Sequence, residues 1–156
     1  MNRRTTLTTA ASAVALAGGL ALAGCSSSSD DGSGKPELKV SGAFMPQPVS
    51  DMAGGFLTIR NDSGTADKLT SVTSPLSADV QIHETKDQKM RQVASFDVPA
   101  NGELRLERGG SHIMFMNIKQ KPKQGEKVSV ELHFEKSDPI KVELPVEARN
   151  HNPAKH

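Results

Sequence analysis

Tryptophan and tyrosine are absent from this 156-residue chain, and five phenylalanines are its only aromatic side chains. Deep ligand pockets and base-stacking platforms are lined by such rings, so the composition argues against an enzyme with an enclosed cleft. Nineteen Lys and Arg stand against 18 Asp and Glu, for a formal net charge of +1. No basic stripe marks the chain as a nucleic-acid binder. Cys25 is the only cysteine, which excludes a disulfide framework, a thiolate zinc site and the Cys-x-x-Cys-His attachment of a c-type haem. No segment sustains a helical hydrophobic period. No nucleophile–base pair has a recognisable catalytic context, so no enzyme is expected.

Residues 1–24 have the layout of an export signal: Arg3 and Arg4, then a small-sided apolar run from Leu7 to Leu22. The run ends in Leu22-Ala23-Gly24-Cys25, which resembles the lipobox of bacterial lipoproteins. That resemblance implies cleavage before Cys25 and lipidation of its sulfur, leaving 17 basic against 18 acidic side chains and no free thiol. Arg3-Arg4 leaves Sec and twin-arginine export both open. Residues 25–36 (Cys-Ser-Ser-Ser-Ser-Asp-Asp-Gly-Ser-Gly-Lys-Pro) form a flexible polar tether. The expected location is the extracytoplasmic face of the cell membrane, held there by lipid.

From 37 to 147 the sequence reads as eight or nine short strands broken by turn signals. Val128, Val130, Leu132 and Phe134 alternate onto one face, and Ile140, Val142, Leu144 and Val146 repeat the pattern. Such spacing predicts an all-β Greek-key sandwich or barrel. Residues 148–156 carry no core pattern and are expected to be a mobile tail, in which His151 and His156 offer at most a weak Cu(II) site.

Within the strand text, Ser111-His112-Ile113-Met114-Phe115-Met116 places an imidazole and a thioether two residues apart. Alternation puts His112, Met114 and Met116 on one face, with Ile113 and Phe115 on the other. A second histidine, His83, shares a face with Gln81, opposite Val80 and Ile82. Met90 follows after a polar loop that a hairpin can close. Two histidines and two methionines make a neutral, soft donor set, and Cu(I) is the first-row ion it favours. The lack of a cysteine ligand excludes a blue-copper electron-transfer centre. Met45 and Met52 read as core fillers, Met116 as packing beneath the site, and His133 as a solvated residue on a polar face.

At these positions the chain resembles the periplasmic copper chaperones of the PCuAC family. The signature is a His, then a Met, then 21 residues, then His-x-Met; here 21 residues separate Met90 from His112, and His112-Ile113-Met114 follows. Gly55-Phe56-Leu57-Thr58-Ile59-Arg60-Asn61, Val80-Gln81-Ile82-His83-Glu84 and Val98-Pro99-Ala100-Asn101-Gly102 also look like the family. The resemblance spans most of residues 38–146. It implies a cupredoxin-like β-barrel that carries one Cu(I) on His83, Met90, His112 and Met114. It further implies delivery toward the Cu-A centre of cytochrome c oxidase, with the Cu-A subunit or a thiol-containing copper chaperone as partner. Two positions depart from the pattern: Glu84 stands where the family often has Met, and the His83–Met90 loop is shorter than usual. Met116 or Met52 is the substitute donor if Met90 falls short. The alternative functions are a copper-buffering or resistance lipoprotein, or a metal-free adhesion or scaffold domain on a lipid anchor.

Overall fold

A computed structural model describes residues 35–153. The expected export signal (1–24), Cys25, the tether up to residue 34 and His156 lie outside the described residues. Within them are ten strands and no helix: β1 (Leu38–Pro46), β2 (Ala53–Asn61), β3 (Asp67–Thr73), β4 (Asp79–Lys86), β5 (Lys89–Gln92), β6 (Phe96–Val98), β7 (Gly102–Leu106), β8 (His112–Met116), β9 (Lys127–Phe134) and β10 (Ile140–Glu147). The extra strands beyond the eight or nine expected are short. β6 has three residues, and β5 is exposed at all four of its positions, so neither carries a buried alternation.

The strands hydrogen-bond in the order β5-β4-β8-β2-β1-β10-β9-β3-β6, a path that does not close on itself. β1 is the joint between its two halves. Residues Leu38 to Phe44 pair antiparallel with β2, and the register slips between Ser41 and Phe44. Gly42, inside the slip, has φ of 59°, which a glycine adopts without steric cost. Beyond the slip, Met45 and Pro46 pair in parallel with Val146 and Glu147. The chain thereby passes from one half of the sheet to the other at the point where proline ends ladder pairing.

Both halves contribute to one core. Ile113 and Phe115 of β8 and Ile82 of β4 meet Leu69, Val130, Leu132, Leu144 and Val146 of the opposite half. The alternation read in β9 is realised, with Val128, Val130 and Leu132 all buried. Packing is tight where the halves meet. A Cβ on Gly55 would lie 3.0 Å from Phe115 Cε2 and 3.1 Å from Leu144 Cδ1.

β2 changes partner half-way along. Ala53 to Gly55 pair with Ile113 to Phe115 of β8, while Leu57 to Asn61 pair with β7. This leaves β8 between β2 and β4, so the His-x-Met face of β8 is flanked by two full-length strands.

In the other half of the sheet a buried carboxylate ties β3 to the β9–β10 turn. Asp67 accepts the amides of Lys68 (2.8 Å), Lys136 (2.9 Å) and Ser137 (3.0 Å) and the Ser137 hydroxyl (2.6 Å). Burial by itself would raise its pKa. The hydroxyl and amide donors outweigh that and hold the carboxyl below its ordinary value of 3.8.

Candidate metal centre

Strand register assembles the site. β4 and β8 run antiparallel with His83 opposite His112 and Gln81 opposite Met114. β5 returns along β4 with Gln92 opposite His83 and Met90 opposite Thr85. Directly opposite residues share a face, and so do every second residue along a strand. His83, Met90, His112 and Met114 therefore all lie on one side of the β5-β4-β8 ribbon, the side facing away from Ile82, Ile113 and Phe115.

The His83–Met90 connection, short by comparison with the family, closes without strain on its length. Lys86 pairs with Lys89, leaving a two-residue loop, and Asp87 and Gln88 have φ of 50° and 62°. Positive φ at both loop positions is the type I′ turn, whose twist matches that of a hairpin. Met90 then lies one register step beyond His83 and diagonal to it. Diagonal neighbours lie about 7–8 Å apart, somewhat less between β-carbons, within reach of a long thioether side chain. Glu84 faces the opposite side and pairs with Arg91 across the hairpin, so it is not a donor to this face.

His112 is the buried member of the set, 6% exposed. Its Nδ1 donates to the Gly110 carbonyl at 2.9 Å, which leaves the lone pair on Nε2. That Nε2 is buried and has no hydrogen-bond partner. Buried polar atoms are almost always satisfied, and an orphan acceptor beside a second imidazole and a thioether is suited to a metal. The ring centroid of His83 lies 5.6 Å away. His83 Nε2 contacts Gln81 Oε1 at 2.8 Å. Burial, and then the proximity of His112, lower the pKa of His83 from its ordinary 6.5, which favours the neutral imidazole that metal binding requires.

Among the described residues no three His, Cys, Asp or Glu side chains converge on one point. The thioethers of Met90 and Met114 are the further donors this face offers beside the two imidazoles, and thioether donors select a soft ion. Phe56 closes the site beside His112, with ring centroids 6.4 Å apart. Phe44 stacks against Phe56 at 5.1 Å, and the tail residue His151 packs edge-on against Phe44 at 5.0 Å. His151 is thus separated from His112 by two phenylalanine rings.

Among the other methionines, Met45 is core, fully buried, as its sequence context predicts. Met52 is 45% exposed, which corrects its reading as core filler: β2 begins only at Ala53, and Met52 sits in the loop before it. Met116 is half-buried on the donor face, opposite Asp79. His133 is half-buried and contacts Thr73 Oγ1 at 3.0 Å, so it is hydrogen-bonded rather than simply solvated. Sequence reading did not single out Asp79, which contacts Gln81 on the same face. Its signal was available in the alternation Asp79, Gln81, His83.

Comparison with known proteins places the family and the fold. Residues 38–146 match the family model named LpqE-like, described as Putative lipoprotein LpqE-like. The chain is 34% identical over 138 residues to Putative lipoprotein Lxx21020 of Leifsonia xyli subsp. xyli, covering 81% of this chain and 82% of that one. Among solved structures, the copper-bound PCuAC domain of PmoF2 superposes with a TM-score of 0.65 at 21% identity, over 74% of this chain and 96% of that domain. The Cu(I) form of DR1885 from Deinococcus radiodurans gives 0.60 at 24% identity, over 74% and 80%. Apo-DR1885 gives 0.57 at 26% identity, over 95% and 94%. The all-β, cupredoxin-like architecture expected from the sequence is therefore the fold of this chain. The chain belongs to the LpqE-like lipoprotein family, on a fold shared with PCuAC domains.

Proposed function

We propose that this protein is a lipid-anchored extracytoplasmic copper carrier that holds one Cu(I) on His83, Met90, His112 and Met114 and delivers it for assembly of a Cu-A centre. In this reading residues 1–24 are the export signal, Cys25 takes the lipid, and 25–36 tether a copper domain at 37–147 followed by a tail at 148–156. The recipient is an oxidase Cu-A subunit or a thiol-bearing copper protein. The observation that carries the reading is the orphaned, buried Nε2 of His112 beside His83 and Met114. The copper bound in the PCuAC domain of PmoF2 and the Cu(I) of DR1885 support the choice of ion.

Donor exposure fits a carrier. His112 is buried, His83 and Met114 are half-buried, and Met90 is 64% exposed at the edge strand. An incoming ligand displaces the Met90 thioether first, and the ion then leaves through His83 and Met114. A thioether has no proton to lose or gain, so its departure adds no pH dependence of its own, and an incoming thiol releases its proton to solvent as it binds. Copper remains Cu(I) throughout, and transfer to thiolates is downhill because they are the stronger soft donors.

The test is Cu(I) competition with a colorimetric chelator. The double variant His112→Ala, Met114→Ala should lose more than about 100-fold in affinity, above the 10–100-fold typical of losing an outer-shell partner. Unchanged affinity removes the site. Delivery is separated from buffering by oxidase activity in a deletion strain under copper limitation; activity equal to wild type removes the delivery role.

A further inference from the structure

Alternate side chains of β4 form a hydrogen-bonded chain along the donor face. Gln81 Nε2 donates to Asp79 Oδ1 at 3.0 Å, and Gln81 Oε1 lies 2.8 Å from His83 Nε2. The first contact fixes the sense of the second. A carboxylate only accepts, so the amide NH2 of Gln81 must face Asp79. Its carbonyl oxygen is left facing His83, and a carbonyl cannot donate. His83 therefore donates from Nε2–H, and its lone pair sits on Nδ1.

His112 is set the other way round. Its Nδ1–H is spent on the Gly110 carbonyl, and its lone pair is on the orphaned Nε2. Two imidazoles paired across adjacent strands, with ring centroids 5.6 Å apart, thus turn different nitrogens outward. One is fixed by a backbone carbonyl and the other by a side chain, and the side chain is itself anchored by a carboxylate two residues earlier. Metal-binding histidines are commonly oriented by such an outer partner, which also raises the basicity of the ligating nitrogen.

We propose that Gln81, anchored by Asp79, is a positioning residue that locks His83 to offer Nδ1, while His112 offers Nε2, to the same Cu(I); this rests on the Cu(I) site proposed above. The lock exists before the metal arrives, so His83 is ordered in the empty protein. When copper leaves, the imidazole keeps its partner instead of following the ion. Register supports the role: Gln81 lies opposite Met114 and His83 opposite His112, so the lock sits alongside the donors.

Long-range nitrogen–proton NMR on the metal-free and Cu(I)-loaded protein tests this, using wild type, Gln81→Leu and Gln81→Glu. In metal-free wild type the His83 Nε2–H should be observable and protected from exchange with water. In Gln81→Leu it should be lost to exchange, and Cu(I) affinity should fall about 10–100-fold. Gln81→Glu restores an acceptor and should recover the protected proton. In the Cu(I)-loaded protein the coordination shift should appear on Nδ1 of His83 and on Nε2 of His112. A His83 bound through Nε2 overturns the proposal. So does a Gln81→Leu variant whose Nε2–H stays protected and whose affinity is unchanged. Failure of the metal site itself is recognised separately, by the indifference of Cu(I) binding to His112→Ala. The protection of Nε2–H in the metal-free protein still decides the lock in that event.

Discussion

Asn61, Asp67, Ser77 and His112 are the buried polar side chains of the described residues, and only His112 leaves a buried atom unpartnered. Asp67 shows what a satisfied one does for stability. Asp67→Ala strips the acceptor from the amides of Lys136 and Ser137, and should cost about 2–4 kcal/mol in urea unfolding. An unchanged urea midpoint would exclude a structural role. The folded-state pKa of Asp67 is depressed, so its contribution is present above 3.8 and is lost as pH falls through the folded value. Between about pH 5 and pH 2 the wild type should lose stability more steeply than Asp67→Asn. His83 has the same sign from the opposite charge type. Its folded pKa lies below 6.5, so the unfolded chain takes up the proton first. The metal-free protein should weaken as pH drops from about 6.5 through that lower value, and His83→Gln should flatten this part of the profile, measured by chemical unfolding.

At the scale of elements, the β4–β5 hairpin brings Met90 beside His83, and its turn carries one unfavourable residue. Asp87 and Gln88 both adopt positive φ, which aspartate tolerates, glutamine suits poorly and glycine adopts without steric cost. Gln88→Gly should raise stability by about 0.5–1 kcal/mol, seen as a thermal midpoint a few degrees higher, with Cu(I) affinity unchanged. A lower midpoint would show that Gln88 makes a contact worth more than its backbone strain. The same turn explains what the sequence hid. The face shared by His112 and Met114 was legible because alternation needs only local information. So was the core face of β9, where Val128, Val130 and Leu132 repeat. That a hairpin could return Met90 toward His83 was legible as well; its two-residue turn was not, since Asp87-Gln88 lacks the glycine that signals one. The pairing of His83 with His112 joins residues far apart in sequence, and no local pattern encodes that register. Gln81 was visible on the correct face, but the sense of its amide is set by Asp79 and appears only in the folded strand.

As a whole molecule, the domain is an open sheet folded around one core, with β5 and β6 left at the ends of the strand path. β5 carries Lys89 and Arg91 beside Met90, charges that discourage edge-to-edge association. The four proposed donors span a wide range of depth, from the buried His112 between β2 and β4 to Met90 on this outermost strand. That arrangement also decides how the protein ages under oxidants. Methionine is oxidised to a polar sulfoxide according to its access to oxidant, and the sulfoxide is no longer a thioether donor. Under limiting peroxide, mass spectrometry should find Met90 (64% exposed) and Met52 (45%) modified first and the fully buried Met45 last. Cu(I) affinity should fall with the Met90 sulfoxide while the thermal midpoint holds, and affinity that survives complete sulfoxidation of Met90 would remove that residue from the site. On the function proposed above, the protein damaged in this way stays folded and loses its cargo.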